Sequence, residues 1–254
     1  MAVTGQVVRD SARRWLATPP RSNEPELMDA PDLDLEELAG NLRDIRRVNR
    51  LLGGTAIILR HLPGLIAAAP TGRRLDILDL ATGSADIPLA VAGWARKRNV
   101  DLHITASDYS AEMLAQAERQ IAGHPAISLR QYDARAVPLP DASFDIVLCS
   151  LSLHHLPPAD AVRVLREMDR LCRVGFILND LYRSKAGDLA AKAAAQLTTR
   201  NRLTRNDAPL SVLRAYTPGE LRELLREAGI HDAAISRHRW FRMAAVKSCG
   251  AADA

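Results

Sequence analysis

LDILDLATGSADIP, residues 75–88, opens as an apolar run fit for a buried strand, then breaks into Ala-Thr-Gly-Ser-Ala before meeting an aspartate. A parallel strand that ends in small residues and turns into a helix leaves free backbone N–H groups at the helix start, where open α/β sheets hold a ligand. The same texture continues downstream. Strand-like runs over 75–80, 101–107, 127–131, 144–150 (FDIVLCS) and 175–179 (GFILN) alternate with helical patterns over 85–98, 110–122 and 158–171. Parallel neighbours require crossovers of that length, so the expected fold is α/β, with a sheet covered on both faces.

Outward from this core, residues 1–32 carry TPPRSNEPELMDAPD, four prolines among polar residues, and are expected to form a tail or a loosely docked arm. Leu35, Leu38, Leu42, Ile45, Val48, Leu51 and Leu52 then recur at helical spacing behind Asp34 as N-cap. Gly53-Gly54 ends that helix, and a second apolar helix, capped by Thr55, runs to Ala69, so 33–70 forms a pair of N-terminal cap helices before the 71–181 core. Residues 182–214 break the alternation with an alanine-rich helix over 186–199 and the expected loop RNRLTRNDAP, an insertion that belongs over the ligand crevice as a lid. Thr217, Pro218 and Glu220 form a capping box for a helix ending at Gly229, and two final strands make an antiparallel hairpin across Arg239 to Phe241, expected at the sheet edge.

Composition bounds the rest. The 254 residues allow one domain with an appendage, 47% are apolar, and no apolar run reaches the eighteen or so residues of a membrane span. Arg9, Asp10, Arg13 and Arg14 interrupt any secretory core, so a cytoplasmic location is expected. Cys149, Cys172 and Cys249 are odd in number and far apart, which suggests reduced thiols, with no disulfide framework and no metal centre. The net charge of +4 comes mostly from arginine, with lysine only at 97, 185, 192 and 247, and by itself selects no partner.

Four features fall at the carboxyl ends of successive strands. After the first come Asp79, Thr82, Gly83 and Asp86; after the second Asp108, spaced to accept from two ribose hydroxyls; after the third Asp133-Ala134, whose carboxylate can take an adenine amino group; after the fourth Ser150 to His155. A dinucleotide site would need G-x-G-x-x-G, yet the matching positions here are Ala81, Gly83 and Pro88, and Asp86 would repel a phosphate while suiting a cation. An adenosine ligand that carries positive charge and no phosphate fits this set.

LDLATGSAD, SDYSAEML, YDARAVPLPDASFDIV and LSLHHL, in this order, resemble the successive motifs of class I S-adenosylmethionine-dependent methyltransferases, and within them the ubiquinone/menaquinone C-methyltransferase-like group. The resemblance covers residues 76–179 and implies a Rossmann-like, mostly parallel sheet with an antiparallel last strand, S-adenosyl-L-methionine as cofactor and S-adenosyl-L-homocysteine as product. It also implies that Ala81 and Gly83 line the methionine moiety, Asp108 holds the ribose, Asp133 and Ala134 the adenine, and Ser150 the methionine or methyl end, with Tyr109 and Met113 flanking the adenine ring. Ala81 and Ala85 stand where that family commonly has glycine.

Methyl transfer is an in-line displacement that gains most from alignment. A phenol, with a pKa near 10, is helped by a nearby base, for which His154 or His155 is the natural candidate and Asp180 the second, as base or orienting group. Asn179, Tyr182, Arg202, Asp207 and Arg214 are the residues expected to shape the acceptor pocket. The expected reaction is O-methylation of a phenol, enol or carboxylate in secondary metabolism, with C-methylation of a quinone or polyketide ring as alternative. RNA or protein methylation and a non-catalytic cofactor-binding role are further alternatives. No Asn/Asp-Pro-Pro-aromatic element follows the fourth strand and only 4% of residues are aromatic, so nucleic acid is the weaker partner class. A small-molecule acceptor, no membrane, and a monomer or homodimer are expected.

Overall fold

The computed structural model describes residues 17–30 and 33–249. Strands β1 (Leu75–Leu80), β2 (Leu102–Asp108), β3 (Ile127–Gln131), β4 (Phe144–Ser150), β5 (Cys172–Leu181), β6 (Ala234–His238) and β7 (Arg242–Ser248) form one sheet in the order β3-β2-β1-β4-β5-β7-β6. β1 to β5 pair in parallel, while β7 runs antiparallel between β5 and β6, so β6 alone takes the edge that the hairpin was expected to occupy.

Alternation along the strands assigns side chains to two cores. Leu78 and Leu80 of β1, Val147 and Cys149 of β4, and Phe176 and Leu178 of β5 pack under helices α5 (Pro158–Leu171) and α8 (Pro218–Glu227). Ile77, Ile104, Ile146, Leu148 and Ile177 pack on the opposite face under α2 (Gly54–Ala68), α3 (Asp86–Arg96) and α4 (Ala111–Ile121). Period-two burial on both faces is what a strand in the middle of a covered parallel sheet requires.

Helix α1 (Leu35–Leu51) starts at Asp34, whose carboxylate accepts from Glu36 N at 2.9 Å and Glu37 N at 2.8 Å. The α1–α2 joint turns at Gly53, φ +85°, a conformation glycine enters without steric cost. Two helices make up the insertion, α6 (Lys185–Thr198) and α7 (Arg202–Arg214). The second occupies the stretch expected to be a loop. Asn201 caps it by accepting from Thr204 N, and burial of Leu203, Pro209, Leu210 and Val212 offsets the backbone bond that Pro209 cannot donate.

The stretch expected to be a tail or loose arm is, over residues 17–30, tied along the insertion. Asp207 accepts from Leu27 N and Met28 N at 2.8 and 3.0 Å, Arg183 Nε donates to Pro19 O, and Arg21 donates to the carbonyls of His154, Leu156 and Arg214. Among the described residues no single helix is long and apolar enough to cross a membrane.

Candidate active site

A cleft of about 1270 Å³ opens over the carboxyl ends of β1, β2 and β4, roofed by α1, α6 and α7. Its floor is the loop that follows β1. Ala81, Gly83 and Ala85 all adopt left-handed backbone, with φ of 52°, 54° and 59°. Two alanines therefore hold a conformation that favours glycine, at roughly 1 kcal/mol or more each. Asp108 at the end of β2 pins this loop: one carboxylate oxygen accepts from Gly83 N at 2.9 Å, the other from Ser110 N at 3.0 Å. Each oxygen keeps a lone pair for a further donor. Burial raises the Asp108 pKa, and the amides of Ser110 and Gly83 oppose that rise.

Asp79 closes β1 with 2% of its surface exposed, and its Oδ1 has no hydrogen-bond partner. Burial, assisted by the neighbouring charges of Asp86 and Asp108, pushes its carboxyl up to about 7. Ser150 Oγ is likewise buried and unpartnered at the cleft wall, and the Thr82 hydroxyl beside Asp79 opposes the rise of its pKa. Buried polar atoms are nearly always paired, so this set is shaped for a ligand carrying donors and positive charge. Asp86, first residue of α3, accepts from Asn49 Nδ2 at 2.9 Å, and Asn49 Oδ1 accepts from Arg242 Nη2 at 3.0 Å. Arg242 Nη1 has no partner, and burial lowers the guanidinium pKa to about 10.

On the β3 side, Tyr109, Met113, Asp133 and Ala134 line the cleft. The Asp133 carboxylate, expected to meet an adenine amino group, is already bonded to Arg135 Nε and Nη2 at 2.9 and 2.7 Å, and Arg135 extends to Asp160. That contact holds the Asp133 pKa below the ordinary range.

At the far end, a short 3-10 turn over Leu153–His155 presents both histidines to the cleft. His154 Nδ1 lies 2.7 Å from Asp180 Oδ1, and His154 N donates to Asp180 Oδ2 at 3.0 Å, which fixes the ring from β5. His155 Nδ1 lies 3.1 Å from Asp29 Oδ2. Between the rings enters Glu26, 3% exposed, with its oxygens 3.8 Å from each Nε2 and Oε1 also accepting from Ser211 Oγ. Burial pushes the Glu26 carboxyl up to about 7, against the pull of His155 and the Ser211 hydroxyl.

The five residues expected to shape the acceptor pocket do not line this cleft. Arg202 pairs with Glu37; Tyr182 stacks edge-on to Phe241; Asn179 is fully buried in β5 with both side-chain polar atoms unbonded. Asp207 and Arg214 anchor the arm, Arg214 by donating to Glu24 O, His154 O and His155 O. The cleft wall away from the strand ends is instead apolar: Leu38, Leu42, Ile45 and Val48 of α1, Ala190, Ala191 and Ala194 of α6, and Trp240 and Phe241 of the last turn. Glu26 escaped the sequence reading because nothing in a proline-rich segment marks one glutamate among polar neighbours. The α1 stripe was legible from its period.

Residues 77–175 match the family described as "Methyltransferase domain" (Methyltransf_25). The ubiquinone/menaquinone biosynthesis C-methyltransferase UbiE of Rickettsia bellii is 28% identical over 176 residues, which span 62% of this chain and 68% of that protein. Among solved structures, a SAM dependent methyltransferase from Aquifex aeolicus superposes with a TM-score of 0.56 at 16% identity, covering 85% of this chain and 99% of its own. The CurJ carbon methyltransferase superposes with a TM-score of 0.63 at 11% identity, covering 86% of this chain and 61% of its own, and at these identities the two likenesses establish the fold. A seven-stranded sheet with β7 reversed, a cleft floor with unpaired buried acceptors, and a methyltransferase domain over residues 77–175 together give this chain the fold and the core domain of an S-adenosylmethionine-dependent methyltransferase.

Proposed function

We propose that this methyltransferase acts on a small acceptor with an apolar body and an ionisable hydroxyl, a phenol or an enol. S-adenosylmethionine, when bound, supplies the electrophilic methyl group. Asp108 has free lone pairs for the ribose hydroxyls, Ala134 and Asp133 border the adenine with Tyr109 and Met113 at its faces, and Asp79, Ala81, Gly83 and Ser150 surround the methionine end. Asp86 adds negative charge suited to that cationic portion.

The observation that carries the acceptor reading is the pair His154–Asp180, 2.7 Å apart and buried, at the end of an apolar cleft. With Nδ1 committed to Asp180, Nε2 is the ring atom left to meet an acceptor hydroxyl and take its proton. A carboxylic acid is already ionised at neutral pH and needs no such group, so the pair favours phenols and enols over carboxylates. Transfer to the oxygen is the first reading. The ionised acceptor is nucleophilic at carbon as well, and the likeness to UbiE, named a C-methyltransferase, supports ring carbon as the second.

The test is incubation of the purified full chain with isotopically labelled methyl donor and panels of phenols, enols and carboxylic acids, with the label located by NMR. Methylated phenol or enol is the expected product. His154→Gln is expected to lower kcat about 100-fold or more while the donor still binds with unchanged affinity. Label found only in carboxylic acids, RNA or protein overturns the proposal.

A further inference from the structure

Two histidines and a carboxylate that meet at one point, each histidine backed by another carboxylate, make more than a proton acceptor. One ligand atom each of Glu26, His154 and His155 lies within 4.8 Å of the others, with His154 Nε2 3.8 Å from Glu26 Oε1 and His155 Nε2 3.8 Å from Glu26 Oε2. The opposite ring nitrogens are engaged, His154 Nδ1 by Asp180 at 2.7 Å and His155 Nδ1 by Asp29 at 3.1 Å. Both imidazoles thus direct their Nε2 atoms toward the same carboxylate. This carboxylate–histidine pattern orients metal-binding imidazoles and raises their basicity. We propose that Glu26, His154 and His155 form a binding site for one divalent transition-metal ion of the kind that imidazole and carboxylate donors hold, with Zn²⁺ as the probe.

The dimensions suit it. Zinc bonds imidazole nitrogen and carboxylate oxygen at about 2.0 to 2.2 Å, which places tetrahedral donors about 3.3 Å apart; His154 Nε2 is 3.8 Å from Glu26 Oε1 and His155 Nε2 3.8 Å from Oε2, so the three side chains need to draw together to share one ion. Two histidines and one glutamate leave the fourth position open, as catalytic zinc sites do. The charge suits it too. Glu26, Asp29 and Asp180 bring three carboxylates, against two guanidiniums: Arg214, whose Nε is 3.8 Å from Glu26 Oε1 and also donates to His154 O, and Arg21, which donates to the same carbonyl. The remaining contact of Glu26, the Ser211 hydroxyl, leaves Oε2 available. The ligands come from the two ends of the cleft wall, one from the arm and two from the turn after β4, so a bound ion would also fasten the arm over the site.

The inference rests on the reading of this end of the cleft as the acceptor's and deepens it. A bound ion would supply Lewis acidity to an acceptor oxygen at the open position, and His154 would then serve as a ligand in place of its role as base.

The experiment is titration of chelator-treated full-length protein with Zn²⁺ by calorimetry, and with Co²⁺ followed by its visible absorption. One equivalent bound, with intense tetrahedral cobalt bands, is expected. Glu26→Gln and His155→Gln are each expected to weaken Zn²⁺ at least tenfold, and Asp29→Asn 10- to 100-fold. Cys172→Ser, which removes a thiol 3.9 Å from Cys249 and a rival zinc ligand, is expected to leave the stoichiometry unchanged. Circular dichroism on each variant separates a lost ligand from a lost fold. Absence of stoichiometric binding, or binding that survives Glu26→Gln and His155→Gln, overturns the metal site. Phenol or enol methylation that persists undiminished in excess chelator sinks the metal inference and leaves the proposed function standing, whereas one Zn²⁺ bound on these ligands with no phenol or enol methylated does the reverse.

Discussion

Asp79 concentrates the electrostatics of the cofactor side. Its folded-state carboxyl is raised to about 7, chiefly by burial, while in the unfolded chain it titrates in the ordinary range near 4. Between those values the folded protein keeps a proton that the unfolded chain releases, so the contribution of Asp79 to stability is greatest below pH 4 and declines as pH rises to about 7. The full decline is on the order of 3 to 4 kcal/mol. Asp79→Asn is expected to flatten this part of the stability profile, measured by denaturant unfolding from pH 4 to pH 8. On the proposed placement a cationic donor draws the same proton off. Donor binding near pH 6.5 is therefore expected to release a proton in the parent chain and none in the variant, which calorimetry in buffers of different ionisation enthalpy detects. At this scale Asp79, Asp86, Asp108 and Ser150, read from the sequence as cofactor residues, line the cleft, because each sits at or just after a strand end whose position follows from local pattern. It could not show that Asp133 is clasped by Arg135, since that depends on rotamers.

Among the elements, β5 shows how tightly the sheet is assembled. A Cβ added at Gly175 would lie 2.1 Å from Lys247 O on β7 and 3.0 Å from Leu65 Cδ2 on α2. Neither backbone nor buried leucine can yield that space cheaply. Gly175→Ala is expected to cost about 3 kcal/mol and to lower Tm by roughly 6 to 12 °C in a thermal melt. The strands and the helices capped by Asp34, Ser110 and Thr217 were legible because pattern and caps act within a few residues. Helix α7 was not. Its apolar residues lack a continuous stripe and Pro209 reads as a breaker, and packing against the arm and α6 makes it a helix.

For the molecule as a whole, the arm decides the shape of the acceptor end. Asp207, 3% exposed, accepts both Leu27 N and Met28 N, and Glu26 precedes those residues directly. Asp207→Ala removes two charge-assisted bonds and is expected to weaken docking of the arm by about 2 kcal/mol or more. Faster proteolytic nicking between residues 17 and 30 and a raised acceptor KM, with donor affinity unchanged, are the expected readouts. Arg214, chosen from sequence as a substrate residue, serves here as well, since its guanidinium ties the arm to the His154–His155 turn.

The sequence by itself determined the parallel core, the alternation of its strands and helices and the small and acidic residues at the strand ends, because hydrophobic periodicity, capping residues and turn chemistry are encoded over short spans. The meeting of Glu26 with His154 and His155, the retreat of Asn179, Tyr182 and Arg202 from the cleft, and the left-handed turn forced on Ala81 and Ala85 were decided only in three dimensions. Those features depend on which distant side chains share a buried volume, and no local pattern specifies that.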